Sequence, residues 1–285
     1  MASSDWNVAD SSADLDGDGL SGTAELLAGT APNYYDTDGD YLPDGWEVSH
    51  ALNPTSVSGA DGATGDPDGD GVQNQYEFVL GFDPNDSTTN GTNDGTRDRD
   101  GDGMPDRYEA STGSFTWDSG LNHEVFIRQL DWEVANGTAD PDGDGLTNFG
   151  EYQATTDPFN YDTDDDTLPD GWEVAKGLDA KSSAGSQGQE GDPDGDGVFN
   201  KYEWVLDFDP NDATTNGTND FTKDRDGDGM PDRWEVNYGK YKFDSGVGHY
   251  VLIRTLNWEV ADGTADRDGD GLNNLAECSG SVLAW

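Results

Sequence analysis

The chain has 285 residues, of which 61 are Asp or Glu and only 14 are Lys or Arg, giving a formal net charge of -47 at pH 7. With 32% hydrophobic residues, such a sequence is typical of disordered chains unless bound cations offset the repulsion between its carboxylates. The charge disfavours nucleic acid and anionic membrane surfaces as partners, and no apolar run reaches the roughly 18 residues needed for membrane insertion.

A long internal repeat organises the chain. Residues 42–48 recur as residues 168–174, and Asp14 recurs as Asp140 and again as Asp266, an offset of 126 residues each time. We therefore predict an N-terminal segment at 1–13, a first repeat unit at 14–139, a second unit at 140–265 and the start of a third at 266–285. Each full unit carries four copies of an acidic loop, and the partial third unit at 266–285 carries one.

Every acidic loop has twelve residues, with Asp at positions 1, 3 and 5 and Glu at position 12. Alternate aspartates in a tight turn point their oxygens at one centre, and the later Glu can close the shell with both its oxygens, as in an EF-hand loop. We therefore interpret these carboxylates as ligands of a metal ion. They are Asp14, Asp16, Asp18 and Glu25 in loop 1; Asp36, Asp38, Asp40 and Glu47 in loop 2; Asp66, Asp68, Asp70 and Glu77 in loop 3; Asp98, Asp100, Asp102 and Glu109 in loop 4; Asp140, Asp142, Asp144 and Glu151 in loop 5; Asp162, Asp164, Asp166 and Glu173 in loop 6; Asp192, Asp194, Asp196 and Glu203 in loop 7; Asp224, Asp226, Asp228 and Glu235 in loop 8; and Asp266, Asp268, Asp270 and Glu277 in loop 9.

Position 7 of each loop is apolar, and we expect its backbone carbonyl to coordinate the ion while its side chain packs inward. These residues are Leu20, Leu42, Val72, Met104, Leu146, Leu168, Val198, Met230 and Leu272. Position 6 is Gly in seven loops, which suits the positive φ of the turn. Tyr41 and Thr167 stand there in loops 2 and 6, so we expect those two loops to be distorted or weak.

The ligand chemistry favours calcium. Hard oxygen ligands without a Cys or His cluster disfavour zinc and copper, and many carboxylates in a flexible loop disfavour octahedral magnesium. Lanthanides share the ligand preference of calcium and remain an alternative. Nine copies of the complete pattern argue against ordinary solvated acidic turns.

Nine calcium ions would still leave a large negative charge, so further acids are candidates for second sites, and we expect about nine to eighteen ions per chain. The candidates are Asp44, Asp83, Asp86, Asp106, Asp157, Asp170, Asp209, Asp212 and Asp232.

A short helix of about two turns is expected after each loop, capped by the Asn or Asp that stands at position 9 in eight loops and by the Glu at position 12. Aromatic residues at position 11, such as Trp46 and Tyr76, are interpreted as packing residues rather than as a carbohydrate platform. Segments 115–135 and 241–261 fit either a helix or a strand of a hairpin. The predicted fold is a loop-rich, calcium-stabilised, elongated repeat protein with little hydrophobic core.

The loops resemble thrombospondin type 3 repeats of bacterial and archaeal surface proteins. The resemblance rests on Asp-Thr-Asp-Gly-Asp at 36–40, Leu-Pro-Asp-Gly-Trp-Glu at 42–47 and Thr-Asp-Pro at 156–158, and it recurs in nine places across 14–285. It implies an extracellular, calcium-stiffened rod or stalk in which the chain wraps the ions. Animal thrombospondin repeats also carry disulfides, whereas this chain has the single cysteine Cys278, so the cysteine-free prokaryotic variant is the closer match.

The leading hypothesis is an extracellular structural module, a calcium-stiffened rod of a cell-surface stalk, adhesin or filament that assembles head to tail with copies of itself. The alternatives are a soluble protein that sequesters calcium or lanthanides and an adhesin module that binds glycans or another cell-surface ligand. Neither nucleic acid binding nor membrane insertion is expected. We do not expect an enzyme, because no catalytic arrangement surrounds His50, His123 or His249.

Overall fold

The computed structural model describes residues 12–281, and the chain divides into two units, Met1–Gly137 and Thr138–Trp285. Residues 1–11 of the expected N-terminal segment and residues 282–285 of the expected third start lie outside the described part. The same order of elements occurs in both units, because the loops and the segments between them recur at one offset.

A helix of six to eight residues follows each of the nine loops within residues 12–281. Each helix begins at position 9 and carries the position-12 glutamate in its first turn, which confirms the expected short helix. The helices are α1 Gly22–Ala28, α2 Asp44–Ser49, α3 Asn74–Leu80, α4 Asp106–Ser111, α5 Asn148–Ala154, α6 Asp170–Lys176, α7 Asn200–Leu206, α8 Asp232–Asn237 and α9 Asn274–Ser281. None of these helices is long and apolar enough to cross a membrane.

The predicted capping by positions 9 and 12 is wrong. Since the helices begin at position 9, the N-cap is the residue at position 8, and its side chain accepts a helix N–H only at Ser21 and Thr147 among α1 to α8. The position-9 side chain turns back instead. Asn74 Nδ2, for example, donates to the carbonyls of Ala60 and Gly62 in the preceding linker, at 2.8 and 2.9 Å.

Four small antiparallel hairpins complete the regular structure of the described residues. They pair β1 Thr88–Thr89 with β2 Thr92–Asn93, β3 Ser114–Asp118 with β4 His123–Ile127, β5 Thr214–Thr215 with β6 Thr218–Asn219, and β7 Lys240–Asp244 with β8 His249–Ile253. The alternative left open for the two segments at 115–135 and 241–261 is thus decided in favour of a hairpin. The β1–β2 hairpin was not predicted, although its Asn90-Gly91 turn, with φ of 53° and 80°, is the dipeptide that favours such tight hairpins.

The apolar core consists of small clusters. In the first unit, the cluster is formed by Val72, Leu80, Phe82, Ala110 and Trp132. In the second unit, the equivalent cluster contains Val198, Leu206, Phe208, Val236 and Trp258, beside a smaller group of Met230, Trp234, Leu256 and Cys278. Of the position-11 aromatics, Tyr76 and Tyr202 pack against these clusters and Trp234 belongs to one, which supports the interpretation of these three as packing residues. Small clusters alone offer limited hydrophobic stabilisation.

We expect Trp132→Ala to destabilise the first unit by about 3–5 kcal/mol, because the indole is almost fully buried in the cluster and its loss leaves a cavity. Denaturant unfolding in excess calcium measures the effect. The matched control is Trp117→Ala on β3, where the ring is 55% exposed and the cost should stay below about 1 kcal/mol. Equal losses for the two variants would contradict the assignment of the core.

Candidate metal centre

Each acidic loop is braced by hydrogen bonds to its own aspartates. In loop 1, the Asp14 carboxylate accepts the N–H groups of Gly17 and Gly19, at 2.8 and 3.0 Å, and Asp18 Oδ1 accepts the N–H of Leu20 at 2.6 Å. The same bonds recur in loops 2 to 5 and 7 to 9, and in loop 6 the Asp162 carboxylate accepts the N–H groups of Asp166 and Thr167 instead. These bonds fix the direction of the aspartates within the folded loop.

The bracing brings the three aspartates of a loop together. In each of loops 1 to 4, the side chains at positions 1, 3 and 5 offer oxygens that all lie within 4.8 Å of one another. Such a group can hold a metal ion. In loops 1 to 4, the predicted aspartate ligands therefore lie close enough together to share one ion.

The position-12 glutamates of loops 1 to 8 are buried acidic side chains with few partners in the protein. In seven of them, both carboxylate oxygens lack a hydrogen-bond partner from the protein. These are Glu25, Glu47, Glu77, Glu109, Glu173, Glu203 and Glu235. Glu151 differs because one of its oxygens accepts a hydrogen bond from the Thr156 hydroxyl. Leaving an unpaired carboxylate in the interior costs on the order of several kcal/mol. A divalent cation would remove that cost, so the residues present fit a calcium ion.

Burial is the main reason that the pKa values of these glutamates are raised, and the aspartates of the same loop raise them further. The pKa of Glu25 rises to about 7, that of Glu77 to about 8 and that of Glu47 to about 9. Without a cation these groups hold protons near neutral pH. With a cation they must lose them, so protons compete with the metal.

Loop 2 keeps the regular loop geometry, contrary to the expected distortion, whereas loop 6 lacks the bond from the position-4 N–H to the position-1 carboxylate. Tyr41 and Thr167 adopt the same left-handed conformation as the glycines, with φ of 82° and 83°. Their N–H groups donate to the position-1 aspartate at 2.7 and 2.6 Å, as Gly19 does in loop 1. The loop bonds therefore outweigh the steric cost of a side chain in this conformation, which is about 1–2 kcal/mol.

A covering segment from later in the chain closes over each of loops 1 to 6 and loop 8. In loop 1, Asp18 Oδ2 accepts the N–H of Gly45 at 3.0 Å, and a Cβ on Gly45 would lie 2.2 Å from the Asp18 carbonyl oxygen. Residues in the same role are Ala63, Gly95, Asn136 with Gly137, Gly171, Gln189, and Asp262 with Gly263. Sequence reasoning missed these residues. The one signal was an Asp-Gly pair at 44–45 and 94–95.

The candidate acids for second sites fall into two groups. Asp83, Asp86, Asp157 and Asp212 are exposed in turns, and Asp209 pairs with Lys176 at 3.4 Å. The other four, Asp44, Asp106, Asp170 and Asp232, are completely buried. Of these four, Asp106 and Asp232 pair with Arg99 and Arg225, so only Asp44 and Asp170 are buried without a cationic side chain beside them.

The histidines lie away from the loop centres. His123 stacks on Tyr35 with ring centroids 3.9 Å apart, and its equivalent His249 stacks on Tyr161 at 3.7 Å. The His50 ring lies 2.7 Å from the Trp46 carbonyl oxygen, measured from Nδ1. These rings serve as packing partners of neighbouring tyrosines and of the α2 backbone.

Comparison with known proteins finds a family model that matches four segments of the chain. The bacterial TSP3 repeat matches the chain at residues 14–33, 98–114, 140–160 and 224–239, which confirms the resemblance to thrombospondin type 3 repeats. These segments contain loops 1, 4, 5 and 8, so the repeat offset also appears in the matches. No curated protein and no solved structure matches the chain.

Proposed function

We propose that this chain is an extracellular structural module in which bound calcium ions replace a large apolar core, as part of a cell-surface stalk, adhesin or filament. TSP3 repeats are calcium-binding modules, which supports the structural calcium-binding role. The observation that carries the proposal is the burial of the position-12 glutamates without a protein partner. The proposal assigns one ion or more to each loop, hence nine or more per chain.

A structural role and a sequestering role differ in how binding is coupled to folding. In a structural module the free energy of ion binding is the free energy of folding, so helix content should rise together with bound calcium. A calcium titration followed in parallel by calorimetry and circular dichroism measures both. Binding of many ions to an already folded chain would favour sequestration and contradict the proposal.

We expect Glu77→Gln to lower the calcium affinity of loop 3 by about tenfold or more, because the amide cannot supply two anionic oxygens to the ion. The measured quantity is the number of ions that remain bound during dilution to low calcium. Glu133→Gln is the matched control, since this exposed glutamate lies outside the loops and forms only a surface ion pair with Arg128. An unchanged ion count for Glu77→Gln would contradict its role as a ligand.

The proposal includes assembly of copies head to tail. It is supported by exposed apolar side chains that recur at equivalent places on the hairpins of both units, Trp117 and Ile127 in one and Phe243 and Ile253 in the other. Bound cations would also reduce the repulsion between two highly acidic chains. Sedimentation in excess calcium tests the assembly, and a single monomeric species at high concentration would contradict it.

A further inference from the structure

We infer that loops 1, 3, 5 and 7 each hold a second divalent cation, bound between the aspartate at position 5, the glutamate at position 12 and a fully buried aspartate from a later segment. The later aspartates are Asp44, Asp94, Asp170 and Asp220. The inference rests on the proposed function, since it concerns the same cation and extends the same centres. It assigns about thirteen ions to the chain rather than nine.

Loop 1 shows the geometry most clearly. Oxygens of Asp18, Glu25 and Asp44 lie within 4.8 Å of one another, and the side chains of Glu25 and Asp44 are completely inaccessible to solvent. Both Glu25 oxygens lack a protein partner. Three carboxylates enclosed at this distance repel one another strongly in a medium of low dielectric constant. A cation between them turns that repulsion into coordination.

Asp44 is held in place for this role. Its two oxygens accept hydrogen bonds from the N–H and the hydroxyl of Thr37, at 2.8 and 2.6 Å, and each oxygen keeps a further lone pair for an ion. The next residue, Gly45, donates its N–H to Asp18 across the two segments. The covering segment therefore brings both a backbone donor and a buried carboxylate to loop 1.

The same fixing of a later aspartate by a threonine recurs beside loops 3, 5 and 7. Asp94 is fixed by Thr89, Asp170 by Thr163 and Asp220 by Thr215, in each case through the N–H and the hydroxyl of the threonine. Gly95 and Gly171 donate to the position-5 aspartates of loops 3 and 5, at 3.0 and 2.6 Å.

The position-12 glutamates of these loops have oxygens available for two ions. Both oxygens of Glu77 and both oxygens of Glu203 are buried without a hydrogen-bond partner from the protein, as in Glu25. Each of these glutamates can thus contact two ions, one in its own loop and one beneath the covering segment.

Even-numbered loops lack this arrangement. The covering residues of loops 2, 4 and 6 are Ala63, Asn136 with Gly137, and Gln189, none of which supplies a carboxylate. Loop 8 is covered by Asp262, which is only half-buried and accepts a hydrogen bond from Asn274.

The position-9 aspartates differ in a similar way, because some have no cationic side chain beside them and others pair with an arginine. Asp44 in loop 2 accepts hydrogen bonds from Thr37, whereas Asp106 in loop 4 pairs with the guanidinium of Arg99 at 2.9 Å. In the second unit, Asp232 pairs with Arg225 at 3.0 Å. The arginine side chain supplies the positive charge in these places, so no second ion is needed there.

Native mass spectrometry of the calcium-saturated full chain at neutral pH tests the inference. We expect about thirteen tightly held ions, one fewer for Asp44→Asn and one fewer for Asp94→Asn. Asparagine keeps one oxygen to accept the threonine N–H, and its amide can donate to the threonine hydroxyl oxygen. The matched control, Asp106→Asn, should leave the count unchanged, because Arg99 rather than an ion faces that carboxylate.

The outcomes separate the two proposals. Nine ions in the parent chain and in both test variants would overturn the second sites while leaving the calcium module intact. No specifically bound calcium would overturn the proposed function itself. An equal loss in Asp106→Asn would overturn the assignment of second ions to the odd-numbered loops. Asp94 lies outside the loops, so its variant keeps the test valid if Asp44→Asn prevents folding.

Discussion

Removal of calcium at neutral pH is expected to unfold the chain. A chelator should abolish most of the helical circular dichroism and shift the fluorescence of Trp132 and Trp258, whose rings are both 1% exposed in the folded units, towards longer wavelength. Restoring calcium should reverse both changes. Magnesium at the same concentration is the control, because its strict octahedral geometry suits these carboxylate loops poorly.

The expected size of this effect follows from a comparison of costs. Each buried, unpaired carboxylate costs on the order of several kcal/mol, and seven position-12 glutamates have both oxygens in that state. The net stability of a typical domain is only about 5–15 kcal/mol. Taking up a proton at neutral pH instead also costs on the order of a few kcal/mol per glutamate, because the ordinary pKa of the group is 4.5. The metal-free fold therefore has no stability left at neutral pH. A chelated chain that keeps its helices and its melting temperature at neutral pH would contradict this reasoning.

The second large effect expected is an opposite response to pH with and without calcium. The pKa values of Glu47, Glu173 and Glu203 rise to about 9 in the metal-free fold, mainly through burial, from an ordinary value of 4.5. A raised pKa in the folded state means that folding binds protons. The metal-free fold should therefore be most stable below about pH 4.5 and lose stability as the pH rises towards 9.

In excess calcium the sign reverses, because protons compete with the ion for the same carboxylates. Stability should then change little between about pH 9 and pH 4.5, where the carboxylates are ionised in both states, and should fall as the pH decreases below about 4.5, where the unfolded chain takes up protons. Melting temperatures measured across this range, once with chelator and once with calcium, show both trends. Parallel curves for the two conditions would contradict the assignment of the buried glutamates as ligands.

Local features of the fold could be predicted from the sequence. The spacing of the aspartates predicted the loops, and the short helices after them follow from residues that are neighbours in the chain. The burial of Leu42, Val72 and Met104 at position 7 was also predictable, since an apolar residue recurs at one place in an acidic loop. The same prediction is wrong for Leu272 in loop 9, which is 52% exposed, and Leu146 is only partly buried. Such inferences need only the chain within about one loop length.

Contacts across longer separations could not be predicted in this way. The N–H of Gly45 meets Asp18, 27 residues earlier, and that of Gly137 meets Asp102, 35 residues earlier. Asp94 lies in a connecting segment outside the loops, so its acidic side chain has no position in the loop pattern, yet it is fully buried. These residues depend on how the segments fold over the loops, which a local spacing does not encode.

Position 9 carries residue types that are common at helix N-caps, yet its side chains have a different role in this fold. Asn and Asp there resemble helix N-caps, but the helix begins with them and their side chains reach back to the linker or to position 2. Proline at position 8 favours this arrangement in four loops, because its fixed φ suits the extended residue before the helix.

An experimental structure of the calcium-loaded chain tests the central claim most directly, through the density around the position-12 glutamates. The account predicts an ion in each of loops 1 to 9, about 2.3–2.6 Å from oxygens at positions 1, 3 and 5 and from both oxygens of the glutamate. Glutamates that instead bond to protein donors or to water, with no ion enclosed, would contradict it.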